Sequence, residues 1–220
     1  MQFNFTLPAG ELLFSPGQYL SIKLPEVRPA DGQNNVRYFS LVSSPDQKKG
    51  FSIATRSSAS AFKQALFNLS LDSEVEVGGV SGQLILPAEN DGQLVLIAGG
   101  IGITSFMSML TYANNHHSSQ HFILLYSNQQ RPAAPFLDEL TALAETLTNF
   151  QLVLTMTDDE YWSGEKRIID HQFIKDYVSD YKAAKYLVAG PPPLVLSMAN
   201  NFDRLGIIKD NFVLEEYFGY

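Results

Sequence analysis

A short apolar run that ends in a glycine-rich turn constrains this chain more than any other stretch. Residues 94–98 read Leu-Val-Leu-Ile-Ala, the pattern of a strand that is buried on both faces of a parallel sheet. Three glycines among residues 99–102 allow the backbone to turn tightly and to approach a ligand. Thr104 or Ser105 is expected to cap the helix that follows. This layout can hold a pyrophosphate, but tight packing of a strand against a helix gives the same pattern, so both interpretations stay open here.

The second half of the chain alternates apolar runs with helical patterns. The clearest helix is predicted over residues 135–147, where apolar side chains recur on one face. Such alternation predicts βαβ units and an α/β domain with a five-stranded parallel sheet. Ligands on such sheets bind beyond the carboxyl ends of the strands, so the turns at 99–102 and 190–192 are expected on one rim. Five strands are predicted, over residues 94–98, 122–126, 152–156, 186–189 and 211–215.

The first half of the chain instead shows short strands that are separated by turns. A helix is expected to open at Ser60, with Phe62, Leu66 and Leu69 facing inward. Strands at this spacing predict a small antiparallel β-barrel, and we place the two domains at residues 1–88 and 89–220. The barrel strands are predicted near residues 3–7, 20–24, 36–42, 51–55 and 74–77.

Composition excludes several kinds of function. The 220 residues carry a formal net charge of −8, whereas a nucleic-acid backbone needs a basic surface, so no nucleic acid is expected as a partner. The chain contains no cysteine, which rules out disulfides and iron–sulfur clusters held by its own thiolates. No apolar stretch approaches the roughly 18 residues of a membrane span. We therefore expect no integral membrane segment and a cytoplasmic location.

Two polar clusters are considered as possible ligand sites, but neither predicts one. His116, His117 and His121 lie near a helix end without a second ligand cluster, so a solvated loop is favoured over a metal site and no metal is predicted. The acidic residues 158–160 follow a predicted strand end. They fit either the rim near an adenosine ribose or a solvated turn.

A second motif, Arg37-Tyr38-Phe39-Ser40, lies in a predicted barrel strand. Arginine can pair with a phosphate through its planar guanidinium, and an aromatic ring and a hydroxyl suit a flat heterocycle, although an amphipathic strand would show the same residues. With the glycine turn, the motifs of the chain resemble, in order, those of the ferredoxin–NADP reductase family of flavoproteins. The segments that carry the resemblance are residues 16–19, 37–40, 51–63, 99–104, 189–192 and 215–220.

The resemblance implies a barrel that holds FAD, an α/β domain that holds NAD(P)H, and a flavin and nicotinamide that meet between them. It implies catalytic roles for Ser40 near the flavin N5, for Glu215 in positioning the nicotinamide, and for Tyr217 over the flavin. Phe218 or Tyr220 could take that stacking role instead. It implies cofactor binding by Arg37, Tyr38, Phe39, Ser40, Ile53, Ala54, Thr55, Ser58, Ala59, Ser60, Gly99, Gly100, Gly102, Thr104, Ser127, Asn128, Gly190, Pro191, Tyr217 and Tyr220.

The chain also departs from the family pattern. Phe39 stands where tyrosine is usual, Ser105 where proline is usual, and Ala189 where a cysteine usually lies near the nicotinamide. The family usually has roughly one more strand before the segment that begins here at Met1, so the barrel is expected to be trimmed or to lack its first strand. Because an open sheet edge is a liability, another segment or a partner is expected to cover it.

These observations predict an NAD(P)H-dependent flavoprotein oxidoreductase that passes electrons to an unknown separate acceptor, either a redox protein or a small molecule. NADH is preferred over NADPH, because Gln129 falls where many relatives carry arginine and the acidic run at 157–160 would repel a 2′-phosphate. Arg131 argues against this preference. The alternatives are a free-flavin or ferric reductase and, in another class, a non-catalytic reductase-like electron-transfer or docking subunit.

Overall fold

The computed structural model describes residues 1–24, 35–88 and 92–217. Phe218 and Tyr220, the alternatives to Tyr217 for stacking on the flavin, lie outside these ranges. The predicted domain boundary between residues 88 and 89 falls at the edge of a stretch that is not described, so it stays a prediction. Among the described residues, no helix combines the length and the apolar character that crossing a bilayer requires.

The first part of the chain forms antiparallel β structure. Strands β1 and β4 pair in a two-stranded sheet, and β3, β2 and β5 form a three-stranded sheet in that order. A bridge between Leu41 and Ile53 connects the two sheets. The predicted antiparallel β domain is therefore confirmed, with its described strands in two sheets. The strands are β1 (Gln2–Thr6), β2 (Tyr19–Lys23), β3 (Val36–Ser40), β4 (Gly50–Ala54) and β5 (Glu76–Ser81).

One short helix, α1 (Ala61–Phe67), covers the apolar core of this β domain. Phe62 and Leu66 are buried as predicted. Leu69 was predicted to face inward as well, and this is wrong, because the helix ends at Phe67 and Leu69 lies beyond it, 37% exposed.

The second part of the chain contains the predicted five-stranded sheet. The strand order is β10-β9-β6-β7-β8, and every neighbouring pair is parallel. Each predicted strand is present within two residues of its predicted bounds, which confirms the α/β assignment. The strands are β6 (Gln93–Gly99), β7 (His121–Asn128), β8 (Phe150–Met156), β9 (Lys185–Gly190) and β10 (Phe212–Glu216).

Helices cover both faces of this sheet, because successive residues of a strand point to opposite faces. Leu94 and Leu96 of β6 pack in the apolar cluster that contains α2 and α3, whereas Val95 and Ile97 pack in the cluster that contains α4 and α5. The helices are α2 (Ile103–Asn115), α3 (Leu137–Thr146), α4 (His171–Tyr177) and α5 (Pro192–Leu205). The buried strand and its glycine turn thus stand at the centre of the sheet.

The start of α2 differs from the prediction. Residues 100–102 form a single 3-10 turn, and Gly102 occupies the N-cap position without a side-chain cap. Thr104 and Ser105 lie inside the first helical turn, so neither hydroxyl can cap it. The Thr104 hydroxyl donates to the Ile101 carbonyl at 2.9 Å. The predicted serine or threonine cap is therefore wrong, and the Ser105 hydroxyl is directed to another partner.

Candidate functional site

The glycine turn is built by close backbone contacts. Gly100 has φ of +54°, a conformation that suits glycine. A Cβ atom on Gly102 would lie 2.2 Å from the carbonyl oxygen of Ala189 at the end of β9. The turns after β6 and β9 therefore lie side by side at the carboxyl edge of the sheet, as predicted. This edge leaves a backbone surface with little room for side chains.

Strand β3 places its four motif residues in different environments. Phe39 pairs with the buried Leu20 across the strands and lies in the β-domain core, 6.0 Å from the ring of Phe62. Tyr38 points the other way and is 70% exposed. The exposed ring of this strand is thus Tyr38, and the expected role of Phe39 in cofactor binding stays a prediction. The Arg37 guanidinium lies 5.4 Å above the Phe62 ring, near the start of α1.

The segment between β4 and α1 brings positive charge to the β domain. Arg56 donates a hydrogen bond to the Ala133 carbonyl of the α/β domain at 2.8 Å. Its guanidinium also lies beside Gly100, where a Cβ atom would be 2.8 Å from Nη2. Partial burial, together with the charge of Arg56, lowers the pKa of the Lys63 ammonium. Two cations held near each other form a place where an anion would be stabilised.

The predicted flavin-lining residues flank these cations. Ser60 stands at the N-cap of α1 without a side-chain cap, and its own N–H donates to the Ser58 hydroxyl at 3.3 Å. Ala59 between them is exposed. Ile53, Ala54 and Thr55, in contrast, are buried at the end of β4.

Three hydroxyl groups meet where the two domains touch. The Tyr217 hydroxyl lies 2.5 Å from the Ser40 Oγ and 2.5 Å from the Ser105 Oγ. Ser105 also donates to Ser40 at 3.1 Å. Burial, and to a lesser extent the Glu215 carboxyl, raises the pKa of the Tyr217 phenol, which keeps it protonated. The structure thus brings together two predicted catalytic residues, Ser40 and Tyr217.

Glu215 precedes this cluster on β10. It pairs with Ala189 of β9, so it stands on the same rim as the glycine turns. Its Oε1 atom is buried and has no hydrogen-bond partner among the described residues. Burial raises the pKa of the Glu215 carboxyl, and Tyr217 opposes this in part. A buried carboxyl oxygen without a partner is costly, which indicates a place for a donor supplied by a ligand.

The predicted nucleotide-binding residues of the other strands also reach this rim. Ser127 pairs with Gly99, and Asn128 ends β7 one residue later. Both side-chain amide atoms of Asn128 are buried without a hydrogen-bond partner in the described part of the chain. The Gly190 carbonyl accepts the Tyr217 N–H at 2.9 Å, and Pro191 is the N-cap of α5. The tail is therefore fastened to the rim through its backbone.

The loops that bear on NADH or NADPH choice interact with each other. The Arg131 N–H donates to the Asp159 carboxylate at 3.0 Å, and the Arg131 guanidinium lies 5.9 Å from the centre of the Trp162 ring. This backbone hydrogen bond is the main reason that the pKa of Asp159 lies below its usual value. Asp159 thus remains a carboxylate beside the loop that carries Arg131.

Among the three histidines, His116 contacts an aromatic ring and a carboxylate. His116 stacks on Tyr112 at 4.1 Å, and its Nε2 lies 2.9 Å from Asp46 of the β domain. Hydrogen bonds from Asn115 and His116 lower the pKa of Asp46 to about 2. Across residues 1–24, 35–88 and 92–217, no group of three or more acidic or histidine side chains could hold a metal ion.

Two models of protein domains match the chain. An oxidoreductase FAD-binding domain matches residues 1–85, and an oxidoreductase NAD-binding domain matches residues 96–200. These ranges correspond to the antiparallel β domain and to most of the parallel-sheet domain. The chain belongs to the ferredoxin reductase-like family of FAD- and NAD(P)-dependent oxidoreductases.

Individual members of this family are distant relatives. A flavohemoprotein from Oceanobacillus iheyensis is 26% identical over 210 residues, which are 92% of this chain and 51% of that protein. An NADH-cytochrome b5 reductase 1 from Coccidioides immitis is 25% identical over 96% of this chain and 71% of that protein. The chain spans only 58% of another relative, the phenol 2-monooxygenase reductase component DmpP of a Pseudomonas species.

Solved structures of several reductases share the fold. The Amycolatopsis cytochrome P450 reductase GcoB superposes with a TM-score of 0.82 at 24% identity, covering 98% of this chain and 64% of that one. A ferredoxin NADP+ reductase from Neisseria gonorrhoeae with bound FAD and NADP gives a TM-score of 0.77 at 20% identity, covering 99% and 92%.

The residues of this chain fit the cofactors of the family. Asn128 and Glu215 hold buried polar atoms without a hydrogen-bond partner among the described residues, and the cations Arg56 and Lys63 lie near each other. Sequence reasoning missed the parts played by Arg56 and Ser105. The sequence suggested Ser105 only as a helix cap and as a replacement for proline, because nothing local in the sequence shows that it meets a residue 65 positions earlier.

Proposed function

We propose that this chain takes hydride from NAD(P)H onto FAD held by its β domain and passes electrons to a separate acceptor. The observation that carries the proposal is the position of Tyr217. Its N–H bonds to Gly190 on the nucleotide rim, while its hydroxyl reaches Ser40 of the flavin motif. The two halves of a hydride-transfer site therefore meet at one side chain. When bound, FAD accepts hydride and releases electrons singly or in pairs.

On the flavin side, Arg37 pairs with the FAD phosphates through its planar guanidinium. Its position over Phe62, next to the start of α1, supports this role. Ser58, Ser60 and the uncapped N–H groups of the first turn of α1 complete the phosphate site. Arg56 and Lys63 neutralise the remaining charge. Ser40, which is 7% exposed, offers its hydroxyl to the reactive edge of the flavin ring.

On the nucleotide side, the tight turn at Gly100 and Gly102 brings the backbone close to the dinucleotide. Asn128 uses its buried amide on the nucleotide. Glu215 accepts a hydrogen bond near the nicotinamide, a positioning role that fits its unpartnered oxygen.

Tyr217 acts as a displaceable gate in this proposal. It occupies the space beside Ser40 and moves away when the nicotinamide enters. Because two flat rings compete for one face of the flavin, the gate lowers nucleotide affinity while it excludes water. Phe218 or Tyr220 could perform the stacking instead of Tyr217, and both lie outside the described residues.

NADH is the proposed donor. The hydrogen bond from Arg131 to Asp159 keeps a carboxylate beside the loop where a 2′-phosphate would bind, and such a phosphate requires nearby cations without a competing carboxylate. Steady-state kinetics with both nucleotides would test this. A higher specificity constant for NADPH would contradict it, and would indicate that Arg131 turns toward the phosphate.

The electron acceptor is proposed only as a class, either a separate redox protein or a small molecule. The names of similar proteins point to different partners, among them cytochrome b5 and a cytochrome P450. The alternatives remain a free-flavin or ferric reductase and a reductase-like subunit without catalytic activity. In the first, flavin is a substrate that leaves; in the second, it is bound but never reduced.

Desalting followed by an acceptor assay separates these functions. The proposal predicts that the desalted protein stays yellow and oxidises NADH with an artificial acceptor without added flavin. Activity that appears only with added flavin would favour the free-flavin reductase. A yellow protein that oxidises neither NADH nor NADPH with several artificial acceptors would favour the subunit without activity.

A further inference from the structure

The Ser40, Ser105 and Tyr217 hydroxyls form a closed triangle. Each comes from a different element: β3, the first turn of α2, and the residue after β10. All three edges are short, at 2.5, 2.5 and 3.1 Å. Ser105 is completely buried. The triangle therefore ties the flavin domain, the nucleotide domain and the C-terminal tail to one point.

Hydrogen counting fixes the direction of the bonds. Each hydroxyl carries one hydrogen, and Ser105 donates to Ser40. The Tyr217 hydroxyl also interacts with Thr104 and Glu215, and Ser105 has already given its hydrogen to Ser40, so the Ser40–Tyr217 contact is satisfied when Ser40 donates to Tyr217. The single hydrogen of Ser40 is then engaged as long as Tyr217 remains in place, and no other acceptor can receive it.

When Tyr217 moves away, the hydroxyl hydrogen of Ser40 loses its acceptor. The bond from Ser105 to Ser40 does not involve Tyr217, and both serines belong to regular elements, so this bond persists. The hydrogen of Ser40 is then released, while its oxygen stays oriented by Ser105. We propose that Ser105 is a positioning residue that aims the Ser40 hydroxyl at the flavin, and that the hydroxyl triangle latches Tyr217 until a nucleotide enters.

This inference rests on the proposed function, because the released hydrogen needs the flavin ring as its acceptor. It goes beyond a steric gate, since a gate made only of a ring would not depend on Ser105. The latch makes two opposite predictions for Ser105→Ala. The closed form loses a bond to Tyr217, so nucleotide binding becomes tighter. The open form loses the bond to Ser40, so flavin reduction becomes slower.

Ser108 offers a matched control. It lies on the same helix, is equally buried, and also bonds to the β domain, through a 2.8 Å hydrogen bond to the Ser43 carbonyl. Its hydrogen bond goes to the Ser43 backbone and not to a member of the triangle. Ser108→Ala therefore removes a buried contact between the domains without touching the latch, and it reports the effect of lost packing and anchoring alone.

The first experiment measures NAD+ affinity by calorimetry on FAD-loaded protein. Ser105→Ala and Tyr217→Phe should each tighten binding by about threefold or more, the effect of losing roughly one hydrogen bond from the closed form. The double variant should bind no more tightly than Tyr217→Phe alone, because both changes open the same triangle. Ser108→Ala should stay within about twofold of the parent. Ser105→Cys, which keeps a weak donor, should fall between parent and alanine.

The second experiment measures the single-turnover rate of flavin reduction at saturating NADH. Ser105→Ala should be several-fold slower than Ser108→Ala, although it binds nucleotide more tightly. The inference is overturned if Ser105→Ala and Ser108→Ala behave alike in affinity and rate, or if the two triangle changes act additively on affinity.

A third measurement separates this inference from the proposed function. It is the free energy of unfolding without added ligands, measured for Ser105→Ala, Tyr217→Phe and the double variant. These values should show coupling between the two positions. Additive effects would overturn the latch whatever the flavin does. If the parent holds FAD but NADH does not reduce it, the proposed function fails. If the parent is reduced and only the coupling is missing, this inference fails alone.

Discussion

The two halves of the proposed hydride-transfer site are built by different means. On the nucleotide rim, backbone meets backbone, and an added Cβ at Gly102 would lie 2.2 Å from a carbonyl oxygen. On strand β3, side chains provide the surface: Arg37 lies over Phe62, and the Ser40 hydroxyl faces Tyr217. A site made of backbone should fail abruptly when altered, whereas a site made of side chains should lose function in steps.

Gly102→Ala should have the largest effect, because the new methyl group must push the turn away from β9. We expect a loss of stability of the order of 3 kcal/mol, at the upper end of overpacking penalties, together with a loss of nucleotide binding. Thermal unfolding and calorimetry with NAD+ measure both. Gly79→Ala is the matched control, since a Cβ there meets nothing within 4 Å. Equal effects of the two changes would show that the tight contact does not matter.

Arg37→Ala should come next, with a graded loss. A charge-assisted hydrogen bond contributes about 1.5–3 kcal/mol, so FAD retention should weaken by roughly tenfold or more while the fold persists. Equilibrium dialysis with FAD gives the affinity. Arg204→Ala removes the same charge from an exposed position near the end of α5. If the Arg37 variant holds FAD as tightly as the Arg204 variant, the phosphate assignment is wrong.

Tyr217→Ser should raise nucleotide affinity, whereas Gly102→Ala lowers it. Removal of the ring abolishes the competition for the flavin face, which is worth about 0.5–1.5 kcal/mol, so NAD+ should bind roughly two- to tenfold more tightly. The absorbance envelope of the bound flavin should also change. Tyr112→Ser, at the far end of α2, is the comparison. An unchanged affinity and spectrum with only a lower melting temperature would identify Tyr217 as a packing residue.

Glu215→Gln should give the smallest effect, and one that depends on pH. Burial raises the pKa of Glu215 above its ordinary value of 4.5, so the folded protein holds this proton more tightly than the unfolded chain. Stability contributed by this group is therefore present below pH 4.5 and is lost as pH rises through the folded pKa. Glutamine stays neutral, so the variant should gain melting temperature relative to the parent as pH rises. A difference that does not change between about pH 4 and about pH 7 would contradict this.

Much of this molecule could be predicted from periodicity. The parallel strands, the helix near residues 137–146 and the short α1 depend on patterns within one element. The errors arise where distant elements decide the outcome. Thr104 and Ser105 cannot cap α2 because the 3-10 turn moves the helix start to Ile103. Leu69 lies outside the core because α1 ends at Phe67, two residues before it.

For the candidate site too, contacts between distant elements could not be predicted from the sequence. Motif order brought Ser40 and Tyr217 into one hypothesis, although 177 residues separate them. The triangle with Ser105 and the contact of Arg56 with Ala133 depend on how the two domains meet. No local pattern encodes that geometry, so these contacts could come only from the structure.

The most direct test of the whole account is the visible spectrum of the purified protein before and after anaerobic NADH. The account predicts an oxidised flavin spectrum at the start, which bleaches on addition of NADH because the nicotinamide reaches the flavin past Tyr217. A protein without a flavin spectrum, or a flavin that stays oxidised with both NADH and NADPH, would contradict the proposed hydride transfer.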